Sequence, residues 1–310
     1  MVDIATLFDI TVSGVGLGAL YALVAMGFSL IYKVTGVLNF AQGQLALVGA
    51  YGVVIFSAPT VIGLGLPAWV AVLLTIVLGV VLGYLLERVV LRQFIGEPIL
   101  SVIIVTLALG GIFSGLLRFL AGPNFIGYPA ALRPDWSVSL PLGAEMSAAF
   151  ALGVLLSLVV VVALMVFFRY TVSGSILRAS ASDQQAAMVL GVSIERTIVV
   201  AWTISIAITA VGGMLLAMAA GGAGFTIETV GIIIFAAVVF GGLDSVPGAF
   251  IGSIVVGLLQ ELGTFYLEGG ESGLVNFGPG FGEILPLIFL LFVIVVAPYG
   301  LFGTERIERL

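Results

Sequence analysis

From Val34 to Leu86 the chain runs without one Asp, Glu, Lys or Arg. Further charge-free stretches occupy 10–32, 98–117, 119–132, 146–168, 197–227, 229–243, 245–260 and 284–304. A soluble domain carries about a quarter of its residues as charges. Here the share is 8%, against 61% hydrophobic residues. So few charges cannot cover a water-facing surface of 310 residues. A helix that crosses the hydrocarbon core needs about 20 apolar residues, and most of these stretches supply that length once or twice. The chain therefore reads as an all-α, polytopic integral membrane protein with eight or nine transmembrane helices.

The stretch 34–86 is broken at 57–67 by SAPTVIGLGLP, a Pro/Gly turn cluster. The stretch 119–132 carries Gly122, Pro123 and Pro129 and reads as a loop. The predicted spans are 10–32, 39–58, 68–88, 98–118, 146–168, 197–219, 229–243, 247–266 and 282–300. The seventh is short, and GGLDSVPG at 241–248 separates it from the eighth. Two crossing helices and a re-entrant pair both fit there. Irregular backbone at membrane depth is tolerated only where protein or a water-filled cavity covers it. With nine spans and the N-terminus outside, Lys33, Arg88, Arg92, Arg169, Arg178, Arg196, Arg306 and Arg309 all fall on the cytoplasmic side. Only Arg118 and Arg133 fall outside, as do the connections 119–145, 219–228 and 267–281. The C-terminus and the 170–196 loop are then cytoplasmic. The acidic start, MVDIATLFDI, lacks the basic region of a signal peptide, so the first span is expected to stay.

Several function classes fall away. A net charge of −6 argues against nucleic acid, whose phosphates require a basic face. There is no Cys and no His, which removes disulfides, thiolate chemistry, Ser-His-Asp catalysis and histidine proton relays. No cofactor or metal is expected. Lys33 is the sole lysine and has no GxxxxGK[ST] frame, so no ATP site is expected in this chain. Asp244 and Glu261 are the deepest acids the spans offer, and either can sit at a span end. Proton-coupled carriers usually keep a carboxylate or His at mid-membrane. Gly14, Gly18, Gly27, Gly79 and Gly83 suit close helix approach.

Two polar interruptions stand out. NFAQGQ at 39–44 places Asn39, Gln42 and Gln44 at the start of an apolar helix. Asn39 can cap that helix with Gln42 at the capping-box position, or the three can form the polar wall of a translocation path. GGLDSVPG offers Asp244 and Ser245, either as a cytoplasmic turn or as a break that touches substrate. The 170–196 loop turns helical from Ser182, with Asp183 able to cap, Ala186 and Ala187 favouring helix, and Gly191 ending it. Met188 and Leu190 are apolar on a short helix outside the membrane, which calls for a partner surface.

QAAMVLG at 185–191 resembles the EAA-x3-G signature of ABC importer permeases, with Gln185 where Glu is usual. GLGALYALVAMGFSLIYKVTGVLNFAQGQLALVGAY at 16–51 resembles the opening of the branched-chain amino-acid permeases of the LivH type. That family usually shows NFAHGE, so Gln42 and Gln44 replace a His and a Glu. LRASASDQQAAMVLGVSIER at 177–196 resembles its cytoplasmic loop. FGGLDSVPGAFIGSIVVGLLQ at 240–260 resembles its GGxGSxPGAxxGG segment, with Asp244 in place of a glycine.

The resemblance implies a single transmembrane permease domain over 1–310 that performs no bond chemistry. It implies a coupling helix in 170–196 that docks on an ATPase, built from Asp183, Gln185, Ala186, Ala187, Met188 and Gly191. It also implies a second permease of the LivM type, two ATP-binding subunits and an extracytoplasmic substrate-binding protein, all in a lipid membrane. Asn39, Gln42, Gln44, Asp244 and Ser245 are the candidates for the translocation path. The expected substrate is leucine, isoleucine, valine or a related hydrophobic amino acid. Urea and short amides are the alternative within the superfamily. A stand-alone channel or ion-coupled carrier is the alternative of another class, and the 185–191 motif speaks against it.

Overall fold

A computed structural model describes residues 4–58, 64–182, 184–268, 277–297 and 299–303, with Gln184 and Gln185 described by backbone alone. The helices are α1 (Ile4–Thr35), α2 (Gln42–Ser57), α3 (Ala68–Val89), α4 (Ile99–Ala121), α5 (Ala148–Tyr170), α6 (Val172–Ser182), α7 (Gln184–Val189), α8 (Ile194–Ala219), α9 (Val230–Gly241), α10 (Val246–Leu267) and α11 (Phe281–Val296). All but α6 and α7 fall on spans read from the sequence. Among them α1, α3, α4, α5, α8 and α10 are long and apolar enough to cross a membrane, whereas α2, α9 and α11 are shorter.

The helix α1 is the axis of the bundle and packs on α5, α8, α9 and α10. It is buried on every side from Ala19 to Ile31, so it is apolar all round instead of striped. Without a hydrophobic driving force between helices in lipid, small residues let backbones approach. A side chain at Gly18 would strike the backbone of Ser253 and Ile254 on α10, and one at Gly83 of α3 would strike Thr203 on α8. The outer faces of α3 and α5 carry exposed Leu73, Val77, Leu155 and Val162. Serines set several helix starts. Ser147 Oγ accepts from Phe150 N–H at 3.4 Å, and Ser245 Oγ accepts from Gly248 N–H at 3.1 Å, with Pro247 in the first turn of α10.

Short ladders join the connections at one end of the bundle. β1 (Ile126–Gly127) pairs antiparallel with β4 (Gly222–Ala223), with Ile126 opposite Ala223. β2 (Ser137–Ser139) pairs antiparallel with β3 (Glu145–Ser147). The stretch 119–132, expected as a loop, thus holds β1, with β2 and β3 following it, and these strands do not alter the all-α architecture.

The 219–228 segment is not the outer loop expected from the sequence. After β4, a 3-10 turn at Phe225–Thr229 descends along α2. The Phe225 ring lies 5.0 Å from that of Tyr51, and the Glu228 carbonyl lies against Gly43. Only then does α9 begin. Its 12 residues extend about 18 Å, and the 3-10 turn before it lengthens the same apolar helix to Phe225–Gly241. The full-length α10 follows. Gly222, Ala223 and Gly224 are buried by protein where β4 pairs with β1.

Candidate functional site

The helix α2 starts inside the bundle. Gln42 Nε2 donates to Val24 O at 3.0 Å and to Thr209 Oγ1 at 2.6 Å. Phe40 N–H donates to Thr106 Oγ1 at 3.2 Å. Val24, Thr106 and Thr209 all lie in the interior of long helices, so residues 36–41 return to mid-depth before α2 begins. The first turns of α2 and α9 are neighbours. Gly43 and Gly231 bring their backbones together so closely that a Cβ on Gly231 would meet Gly43 N at 2.8 Å. From this junction the two helices run toward opposite faces. The start of α2 carries the positive end of a helix dipole, which at mid-membrane favours an anionic group, whereas the start of α9 continues from the 3-10 turn, whose Ile227 and Glu228 carbonyls accept from Val230 N–H.

A cavity of about 340 Å³ opens beside the junction. Asn39, Gln44, Glu228 and Thr229 form its polar side, and Phe28, Phe40, Ile232 and Phe235 its apolar side. The Phe235 ring lies 6.1 Å from Phe28 and 6.2 Å from Phe40. Glu228 is held from α4. Ser114 Oγ donates to Oε2 at 2.6 Å, and Arg118 Nη2 donates to Oε1 at 3.0 Å. The Arg118 guanidinium also sits 4.2 Å from the Phe225 ring centroid.

Sequence reasoning missed Glu228 because it assigned 219–228 to an outer loop. One signal could have found it. Glu228 separates two charge-free stretches, and the second, 229–243, is too short to cross alone.

The expected path residues part company. Asn39 and Gln44 line the cavity. Gln42 does not, because its amide is used up within the fold, with Oε1 also accepting from Asn39 Nδ2 at 2.8 Å. Asn39 Oδ1 accepts from Ala41 N–H at 3.1 Å, and Ala41 holds the N-cap position without a side-chain bond. Gln44 Oε1 is buried and has no hydrogen-bond partner. Asp244 and Ser245 lie in the turn between α9 and α10. The Asp244 carbonyl accepts from Lys33 Nζ at 3.0 Å, and Ser245 caps α10. Lys33 is nine residues beyond Val24 on α1, about 13 Å along the axis. These two residues therefore do not join the cavity.

At the same end of the bundle as that turn, α6 and α7 form an arm. Asp183 and the side chain of Gln185 lie outside the described residues. Ala186 and Met188 are exposed. Val189 and Leu190 are 88% and 83% exposed. Ala187 is 2% exposed and faces its own chain. Of the two alanines, only Ala186 is exposed. The outward apolar group is Met188, Val189 and Leu190, of which Val189 was missed. Gly191 ends the helix at φ +85°. Val192 N–H donates to Ala187 O at 3.0 Å and Gly191 N–H to Met188 O at 2.9 Å, which is the Schellman pattern.

The sequence model of the family described as "Branched-chain amino acid transport system / permease component" matches residues 10–297. The chain belongs to this permease family. Among similar proteins, the high-affinity branched-chain amino acid transport system permease protein LivH of Escherichia coli (strain K12) is 28% identical over 305 residues, covering 96% of each chain. BraD of Pseudomonas aeruginosa, with the same printed role, is 26% identical over 310 residues and also covers 96% of each. A probable LivH of Methanocaldococcus jannaschii is 30% identical over 305 residues, covering 94% of this permease and 91% of its own length. No solved structure matches the permease. Its family and its apolar helices make it a multi-pass membrane protein and a transport component.

Proposed function

We propose that the permease is one membrane half of an ABC importer that moves leucine, isoleucine, valine or a closely related amino acid by alternating access. The observation that carries this reading is the cavity at the α2–α9 junction. A zwitterionic aliphatic amino acid has one anionic end, one cationic end and an apolar body. The start of α2 suits its carboxylate. Glu228 suits its ammonium, and Phe28, Phe40 and Phe235 suit its body. The volume of about 340 Å³ falls in the range of small-ligand clefts. Urea or a short amide would leave the aromatic side unused, which favours an amino acid.

Phe40 and Ile232 at the cavity are exposed on the flank of the chain, which supports a second, LivM-like permease completing the path. Met188, Val189 and Leu190 support docking of one of two ATP-binding subunits, where ATP would be hydrolysed. An extracytoplasmic binding protein would deliver substrate at the opposite face. The distribution of Lys and Arg supports a cytoplasmic α6–α7 face with the N-terminus outside, and the chain acts as a single domain. The test is leucine uptake by the reconstituted importer in proteoliposomes. Glu228→Gln and Gln44→Leu should each lower uptake at least about tenfold, a loss of about 1.4 kcal/mol of site interaction, with assembly intact. Wild-type uptake in both variants would move the path elsewhere, and competition by urea would overturn the substrate.

A further inference from the structure

Three of the chain's ten basic residues, including its sole lysine, converge on one groove. Lys33 from α1, Arg169 from the end of α5 and Arg178 from α6 line a space of about 500 Å³. Val246 and Pro247 at the start of α10 complete it. None of its lining residues is Asp or Glu. Among the described residues, the charged groups close enough to act on Lys33 are Asp244, which attracts it, and Arg178, which repels it. Lys33 Nζ donates to the Asp244 carbonyl at 3.0 Å and lies 5.5 Å from the Phe168 ring centroid. Arg169 lies over Tyr170 at 5.5 Å. Arg178 Nη2 donates only to the neutral Ser175 Oγ, at 3.2 Å, among the bonds described. Neither arginine has a carboxylate partner in a described ion pair.

The position of the groove says what it meets. It lies where α5 leaves the apolar layer. Leu155, Leu158, Val162 and Met165 form an exposed stripe along α5, and Val162 and Met165 also line the groove. The spacing is helical, so the stripe is continuous. An apolar track thus ends in a cationic pocket. A soluble anion would need the pocket but not the track. A phospholipid with an anionic headgroup uses both, with an acyl chain on α5 and the phosphate among the three cations.

We propose that this groove is a binding site for an anionic phospholipid of the leaflet on the α6–α7 face. The lipid would tie α1, α5, α6 and the start of α10 together at the root of the arm. This inference does not depend on what the permease carries.

The test is native mass spectrometry of the purified full chain with phosphatidylglycerol and with phosphatidylcholine. The wild type should retain phosphatidylglycerol in preference. Arg169→Gln and Arg178→Gln should each weaken that retention roughly fivefold, whereas Arg169→Lys and Arg178→Lys should keep most of it. Arg88→Gln, at an exposed arginine outside the groove, should change nothing. If one of the two glutamine variants does not purify, the other and the wild-type lipid preference still decide. Equal retention of both lipids by the wild type, or an unchanged preference in the glutamine variants, overturns the proposal. So does displacement of the lipid by glycerol phosphate at matched concentration, because a soluble phosphate site would then suffice. Loss of a co-purifying ATP-binding subunit in the glutamine variants, without any lipid preference in the wild type, would give the groove to a protein partner instead.

Discussion

The α2–α9 junction and the α6–α7 arm are built on opposite terms. At the junction, polar groups lie deep in an apolar bundle and are bonded mostly within the chain. Gln42 makes three side-chain hydrogen bonds, and Glu228 takes two donors from α4. On the arm, apolar groups stand outside the bundle, and Val189 and Leu190 remain almost wholly exposed. The first region is costly to disturb because an unsatisfied polar group in a dry interior has no water to turn to. The second is cheap to disturb within the chain, since its exposed side chains hold nothing in place there. Stability and function should therefore respond in opposite ways to mutation of the two regions.

The largest effect should come from filling the glycine contact. Gly231→Val puts a branched side chain against the backbone of Gly43. Overpacking typically costs about 1–3 kcal/mol and occasionally more, and backbone cannot yield as a side chain can. Thermal unfolding in detergent should show a marked drop, with little folded protein recovered. A wild-type melting temperature would mean that the two helix starts do not meet.

Next comes the contrast between two glutamines of one helix turn. Gln42→Leu removes the bonds that fasten α2 to α1 and α8 and should destabilise the protein by about 1–3 kcal/mol. Gln44→Leu removes an oxygen that has no partner, so its melting temperature should stay near wild type while uptake falls. If uptake fails in Gln42→Leu at full stability, Gln42 belongs to the path and not to the scaffold.

On the arm the pattern should invert. Leu190→Asp should leave thermal stability unchanged while weakening co-purification of the ATP-binding subunit by roughly 5- to 150-fold, equivalent to about 1–3 kcal/mol of docking. Ala187→Trp faces inward and should lower stability of the arm itself by a similar amount. Equal co-purification in Leu190→Asp would remove the arm as the docking surface. The mildest change is a label. Ser182→Cys and Ser139→Cys, in a chain without cysteine, should react from opposite sides of the membrane, Ser182→Cys from the cytoplasm. Same-side labelling would break the crossing count that separates arm from junction.

Much of the bundle was legible because membrane burial leaves a one-dimensional trace. A crossing helix must satisfy its backbone internally and face lipid or protein with apolar side chains, so α3, α4, α5 and α8 appear as charge-free runs of the right length. Gly18 and Gly83 were readable as close-packing positions for the same reason. The polar break at 39–44 was also visible, since Asn39, Gln42 and Gln44 interrupt an apolar run.

Depth was not legible. Composition cannot tell a polar segment at the membrane surface from one folded back to mid-membrane, because what separates them is whether other helices cover it. Tertiary structure decided that residues 36–41 and 222–229 return into the bundle. It also decided that Gln42 is consumed by Val24 and Thr209 while Gln44 is left for the cavity, and that Glu228 belongs with them. In the same way Ala187 turns inward and Val189 outward, a choice set by how a short arm lies on α6 and α8. The sequence by itself determined which segments can live in lipid. Only the packing of those segments determined where polar atoms meet, because hydrogen bonds between residues 167 positions apart, as from Gln42 to Thr209, leave no periodicity along the chain.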